Sequence, residues 1–207
     1  MSDLLLHNFV VLFIVVDPFG LAPIFTGLTT GETLAFRRRM AWHGTLLAAV
    51  ILVLFFFGGS QLLEILGIGI PAFRVAGGVL LFLLAIDMIF ARHTGLRSTT
   101  QREQQEAQHK QDISVFPLAF PLIAGPGALT TVLLMPIDWG QPLLVAGLLA
   151  VLLAVLLMTL VSLWFAPYIV KVLGETGANV LSRFLGLVLS ALAAQYVLDG
   201  IRSAWLQ

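Results

Sequence analysis

The chain has 207 residues, of which 59% are hydrophobic and 11% charged, with a mean hydropathy of +1.00. Soluble domains carry about a quarter charged residues, so this composition excludes an ordinary soluble fold and asks for lipid as solvent. Zero formal net charge gives no basic field for nucleic acid, and the absence of cysteine removes disulfides, Cys-ligated zinc and iron–sulfur clusters.

Spanning about 30 Å of hydrocarbon takes roughly 20 apolar residues. Candidate spans begin near Leu4, Ala41, Ile70, Ile113, Pro142 and Val180, which predicts an all-α polytopic membrane helix bundle. The chain opens Met1-Ser2-Asp3 and has no Lys or Arg before Arg37, a pattern that predicts a retained first helix rather than a cleaved signal. Asp17-Pro18-Phe19-Gly20 interrupts this span near the bilayer centre, where an ionisable side chain is costly and functional by default. Asp before Pro is also an N-cap followed by an N1 proline, and the competing reading makes Asp17 only the cap of a helix restarting at Pro18. On either reading a helix N-terminus lies at mid-membrane, and such an end attracts anions.

The first connection carries Arg37-Arg38-Arg39, a topology anchor at an anionic leaflet. The second span is uncharged. Arg74 and Asp87 bracket the third span 13 residues apart, roughly 20 Å, too far to pair. Either they snorkel to opposite interfaces, or Arg74 and Arg183 of the sixth span are gate charges at opposite mouths of a pathway. The stretch 92–112, which includes QREQQEAQHKQD, reads as a cytoplasmic linker between halves 1–91 and 113–207 of a single transmembrane domain.

The fourth span holds Pro117 and Pro121 and breaks again at Gly125-Pro126-Gly127, with Thr130 and Thr131 on the next turn as hydroxyl ligands. A merely kinked helix is the competing reading for these prolines. The fifth span is uncharged, and the sixth contains Arg183, Gln195 and Asp199. Gln195 is a hydrogen-bonding candidate for substrate or for a neighbouring helix. The four histidines show no metal-ligand spacing, and no HExxH or GxxxxGK[ST] motif occurs, so neither a metal site nor a nucleotide-driven pump is expected.

RVAGGVLLFLLA from Arg74 aligns with RFLGLVLSALAA from Arg183 at an offset of 109 residues, and nearly the same offset superposes the two broken motifs. The expected architecture is therefore about six transmembrane helices as two inverted three-helix repeats, with the first and fourth helices broken and binding at the midplane. Nine of the eleven Lys and Arg residues fall on the odd-numbered connections, which predicts that both termini lie outside the cytoplasm.

With DPFGLAPIF in the first span, PAFRVAGGVLLFLLAIDM in the third, ISVFPLAFPLIAGPGALTT in the fourth and FLGLVLSALAAQYVLDGIR in the sixth, the chain closely resembles the MarC family. That resemblance implies a six-span inner-membrane protein of bacteria or archaea, grouped with neutral amino acid transporters and LysE-type exporters. It marks Asp17, Pro18 and Gly20, and Gly125, Pro126 and Gly127, as hallmark segments. Relatives often carry a polar residue after the first motif's glycine, where this chain has Leu21.

The expected function is secondary transport or export of a small zwitterionic metabolite such as a neutral amino acid, without a cofactor, with sodium or a proton as coupling ion. Its partners are then the bilayer, the small-molecule substrate and, compatibly, further copies of the chain. A passive facilitator, a non-transporting partner subunit and an intramembrane aspartyl protease built on Asp17 and Asp87 are the alternatives. For the last, the GxGD motif is missing.

Overall fold

The computed structural model describes residues 1–90 and 112–205. Most of the expected linker, with Arg92, Arg97, Arg102 and Lys110, lies outside the described residues. Eight segments follow one another: α1 (Ser2–Val16), α2 (Pro18–Leu28), α3 (Leu34–Ile65), α4 (Ile70–Ile89), α5 (Ser114–Ile123), α6 (Pro126–Leu133), α7 (Pro142–Trp164) and α8 (Ala166–Trp205). Five stretches are long and apolar enough to cross a membrane, counting α1 and α2 as one, and α5 with α6 makes a sixth bent by 56°. The protein is thus an all-α polytopic membrane bundle.

Local chemistry sets the element boundaries. Thr33 caps α3 through its hydroxyl, which accepts from the Phe36 N–H at 3.2 Å. This starts the helix ahead of the basic triplet, so α3, at 32 residues, is about 48 Å long and outreaches the hydrocarbon. Arg37 folds back, and its Nε donates to the Thr29 carbonyl at the end of α2. Gly174 (φ 68, ψ 169) breaks α8, separating Ala166–Leu173 from the long sixth span that begins at Thr176. A positive φ of this kind favours glycine.

α5 is wound more widely than an α-helix. Phe116 and Phe120 have extended backbones (φ −133 at each), as residues preceding proline do, and both Phe–Pro bonds are cis. Leu118 and Ala124 donate to carbonyls five residues back rather than four. The expected fourth helix is accordingly an α-helix only from Pro126 onward.

Glycine contacts fix the relative directions of the spans. A Cβ on Gly44 would meet Leu118 and Ser114, and one on Gly59 would meet Leu133. The fourth span therefore runs parallel to α3 and advances about 22 Å along it, crossing rather than turning back. On the other side Gly147 of α7 lies against Leu5, and Ser162 reaches Pro18, so α7 runs parallel to the first span.

The third and sixth spans form the most extensive helix pair. Gly78 faces the Ala193 carbonyl (2.9 Å from an added Cβ), Gly186 that of Ala85 (3.0 Å) and Gly200 that of Pro71 (2.9 Å). The order is reversed along the two helices, so they are antiparallel. Gly186, Ala193 and Gly200 recur every seven residues, giving α8 a stripe of small residues along which the backbones approach closely.

Candidate functional site

The first break is built by Asp17 itself. Its backbone is left-handed (φ 49, ψ 67), a conformation that Asp tolerates better than most side chains, and its N–H closes α1 on the Phe13 carbonyl at 2.8 Å. Pro18 restarts the chain at the first position of α2, where its missing N–H costs nothing. The carboxylate then turns onto the new helix, and the Gly20 N–H donates to Oδ1 at 3.0 Å.

Asp17 is only 2% exposed. Its second oxygen accepts from Ser182 Oγ of α8 at 2.9 Å, and Ser162 Oγ of α7 donates to the neighbouring Pro18 carbonyl at 2.6 Å. Gly20 is obligatory in this geometry, because a Cβ there would stand 2.1 Å from Asp17 Oδ2 and 2.6 Å from Ser182 Oγ. The carboxylate with Gly20 and Ser182, and the Pro18 carbonyl with Ser162, form one polar knot where the first span meets α7 and α8.

The second break differs in kind. Gly125 occupies the N-cap of α6 with no side-chain cap, and Pro126 follows at N1. A Cβ on Gly125 would lie 2.3 Å from the Pro121 carbonyl, so only glycine fits. Gly127 is seated among Leu84, Val15 and Leu81. A small, open-mouthed crevice borders this break and is lined by Val15, Leu80, Leu84, Pro121, Gly125 and Gly127 among others.

Val15, two residues before Asp17, brings the first break alongside the second. The Thr131 hydroxyl donates to the Gly127 carbonyl at 2.9 Å, and the Thr130 methyl faces Gly77; both threonines are buried. Asp17, Pro18 and Gly20 on one side, with Gly125, Pro126, Gly127, Thr130 and Thr131 on the other, thus occupy adjoining parts of the bundle interior.

Gln195 does not join them. It is exposed, thirteen residues or about 20 Å along α8 from Ser182, and its amide donates to Asp199 one turn onward at 2.9 Å. Arg74, half-buried, is at the end of the α4–α8 pair that also holds Tyr196 and Asp199, and acts electrostatically on Tyr196. Arg183 is exposed at the opposite end, near the level of the half-buried Asp87.

The resemblance noted from the motifs now has a direct counterpart. The family model described as "MarC family integral membrane protein" matches residues 2–205. The chain belongs to the MarC family. Among its relatives, the UPF0056 membrane protein YhcE of Escherichia coli K12 is 35% identical over 94% of this chain and 90% of its own length. YvbG of Bacillus subtilis 168 is 34% identical over 98% and 96%. A UPF0056 membrane protein of Archaeoglobus fulgidus is 35% identical over 94% and 90%. These names describe membrane proteins and attach no enzyme activity to the family. No solved structure matches.

Ser182 and Ser162 escaped the reading of the sequence. The signal available for them was weak: each is a hydroxyl in an apolar helix that needs an acceptor, and most such groups find one on their own helix.

Proposed function

We propose that the protein is a secondary transporter or exporter of small zwitterionic metabolites, with neutral amino acids as the leading substrate class. It works by alternating access between two inverted three-helix halves, residues 1–91 and 113–207, joined by a linker at 92–112 and with both termini outside the cytoplasm. The observation that carries this reading is the reciprocal packing around two broken spans, one of which buries a carboxylate. The first span packs on α7 of the second half, the fourth packs on α3 of the first half, and α4 pairs with α8. Binding between discontinuous helices of inverted halves is the plan of many secondary transporters.

In this reading the two helix ends divide the labour. The N-terminus of α2 already holds Asp17's own carboxylate, whereas α6 begins with a glycine cap that supplies no side-chain oxygen. A substrate carboxylate is assigned to the N–H groups of Gly127 and Ala128, beside the crevice. Asp17, across Val15, is assigned to the ammonium group, a sodium ion or a proton. Arg74 and Arg183 serve as charges at opposite ends of the pathway.

Uptake and counterflow of radiolabelled neutral amino acids in proteoliposomes test this, with wild type and Asp17→Asn compared with and without sodium or proton gradients. Gradient-driven uptake that is lost in Asp17→Asn is the expected result. Flux through wild type that ignores every gradient would make the protein a passive facilitator, and no flux for folded protein would remove neutral amino acids as substrates.

A further inference from the structure

Two side-chain hydrogen bonds between residues far apart in sequence end at the Asp17 break. One runs from Ser182 to the Asp17 carboxylate and the other from Ser162 to the Pro18 carbonyl, so both tie the first span to the second half. Between described residues the halves also meet through apolar packing and glycine-seated backbone approaches, and through the charge of Arg74 beside Tyr196. Beyond the break, α2 packs on α8, and Arg37 reaches back to the Thr29 carbonyl at the far end of α2.

A carboxylate and a hydroxyl facing each other across two helices have a property that apolar contacts lack. When the gap is dry they satisfy one another, and when water enters they exchange each other for water, so both arrangements are tolerable and intermediate ones are not. We propose that the Asp17–Ser182 hydrogen bond is a latch holding the pathway shut toward the Arg37–Arg39 end, with Ser182 the residue that sets its strength. This rests on the transporter reading. Ser182 is half-buried, so it is the less enclosed member of the pair, Asp17 being 2% exposed. Ser162, fully inside, anchors the neighbouring carbonyl and gives the latch a fixed base.

The chain lacks cysteine, so a single Leu80→Cys in the crevice wall reports access without background. Labelling by a membrane-impermeant maleimide is measured from each face of oriented vesicles, with Thr30→Cys marking the Arg37–Arg39 face. Ser182→Ala is expected to raise labelling from that face about three- to tenfold, the effect of losing one interhelical hydrogen bond in a membrane protein. Ser182→Thr, which keeps the hydroxyl, should label like wild type, while Ser182→Val, with the same shape and no hydroxyl, should label like the alanine variant.

Equal labelling of the threonine and valine variants, or an unchanged rate in folded Ser182→Ala, overturns the latch. The labelling needs no substrate. A shift in access without flux of any solute would therefore keep the latch and sink the transporter reading, and flux without a shift would do the reverse.

Discussion

Gly20→Ala is the sharpest test of the polar knot. The new methyl carbon would sit 2.1 Å from Asp17 Oδ2 and 2.6 Å from Ser182 Oγ, well inside ordinary contact, so something must move by more than 1 Å. Asp17 has little freedom to yield, since its side chain is short, its backbone is held at φ 49, and both oxygens already accept hydrogen bonds. Overpacking costs about 1–3 kcal/mol, and a buried hydrogen bond forced apart costs about 1–3 more, so a loss of about 2–6 kcal/mol is expected. At about 2–4 °C per kcal/mol in a chain of this size, that lowers the melting temperature by about 4–24 °C in detergent.

Gly27→Ala supplies the control from the same helix, because nothing lies within 4 Å of its added carbon. It should be neutral or stabilise by up to about 1 kcal/mol. If Gly20→Ala melts within a degree or two of Gly27→Ala, the close approach of Asp17, Gly20 and Ser182 is wrong.

Asp17→Asn keeps a residue that accepts the left-handed backbone and can still receive the Gly20 N–H, so it should lose about 1 kcal/mol in thermal melts. Asp17→Leu, which offers neither, should lose about 2–4 kcal/mol. Thr45 Oγ1 is buried with no hydrogen-bond partner among the described residues, so Thr45→Val, of equal shape, should raise stability by about 1 kcal/mol; an unchanged or lower melting temperature would reveal a partner for that hydroxyl.

At the start of α5, Asp112 accepts from the Ser114 hydroxyl and backbone N–H, and His43 and Arg39 add positive charge. Together they hold its carboxyl below the ordinary 3.8. A depressed carboxylate stabilises the fold above its unfolded value and loses that contribution as pH falls through the lowered one. Wild type should therefore outlast Asp112→Asn in melts at neutral pH, and the two should converge at acid pH below the ordinary value.

What the sequence disclosed about this fold depended on whether a feature was local. The Asp17-Pro18 pair announces its own geometry, because an N-cap carboxylate and an N1 proline work over four residues, and the cap duly forms. The wide winding of α5 is less accessible. Proline at positions 117 and 121 says that two N–H groups are missing, but not that the phenylalanine before each becomes extended while the segment still crosses. Thr26, Thr29, Thr131 and Thr159 all return their hydroxyls to the carbonyl four residues back, as apolar helices encourage. Ser162 and Ser182 have the same option and reach across instead, a choice set by which residues the fold puts opposite them. Gln195 shows the converse: Asp199 stands at the helical spacing of four, and that local partner takes the amide.

On the proposed plan of two related halves, Asp17 and Gly125 are counterparts, and the difference between the two breaks follows from that one exchange. Asp17 delivers an anion to the helix it starts, and the donors Gly20 and Ser182 take up one oxygen each. Gly125 delivers nothing, and the Pro121 carbonyl presses so close that no side chain could be added there. In the proposed cycle this asymmetry has a use. Were both breaks capped by carboxylates, a substrate carboxylate would find two like charges and no open helix end. Were both capped by glycine, nothing would tie the halves together in the dry state or receive the substrate's positive group. One sealed end and one open end, adjoining through Val15, give a zwitterion a place for each charge and give the closed state a bond that water can replace.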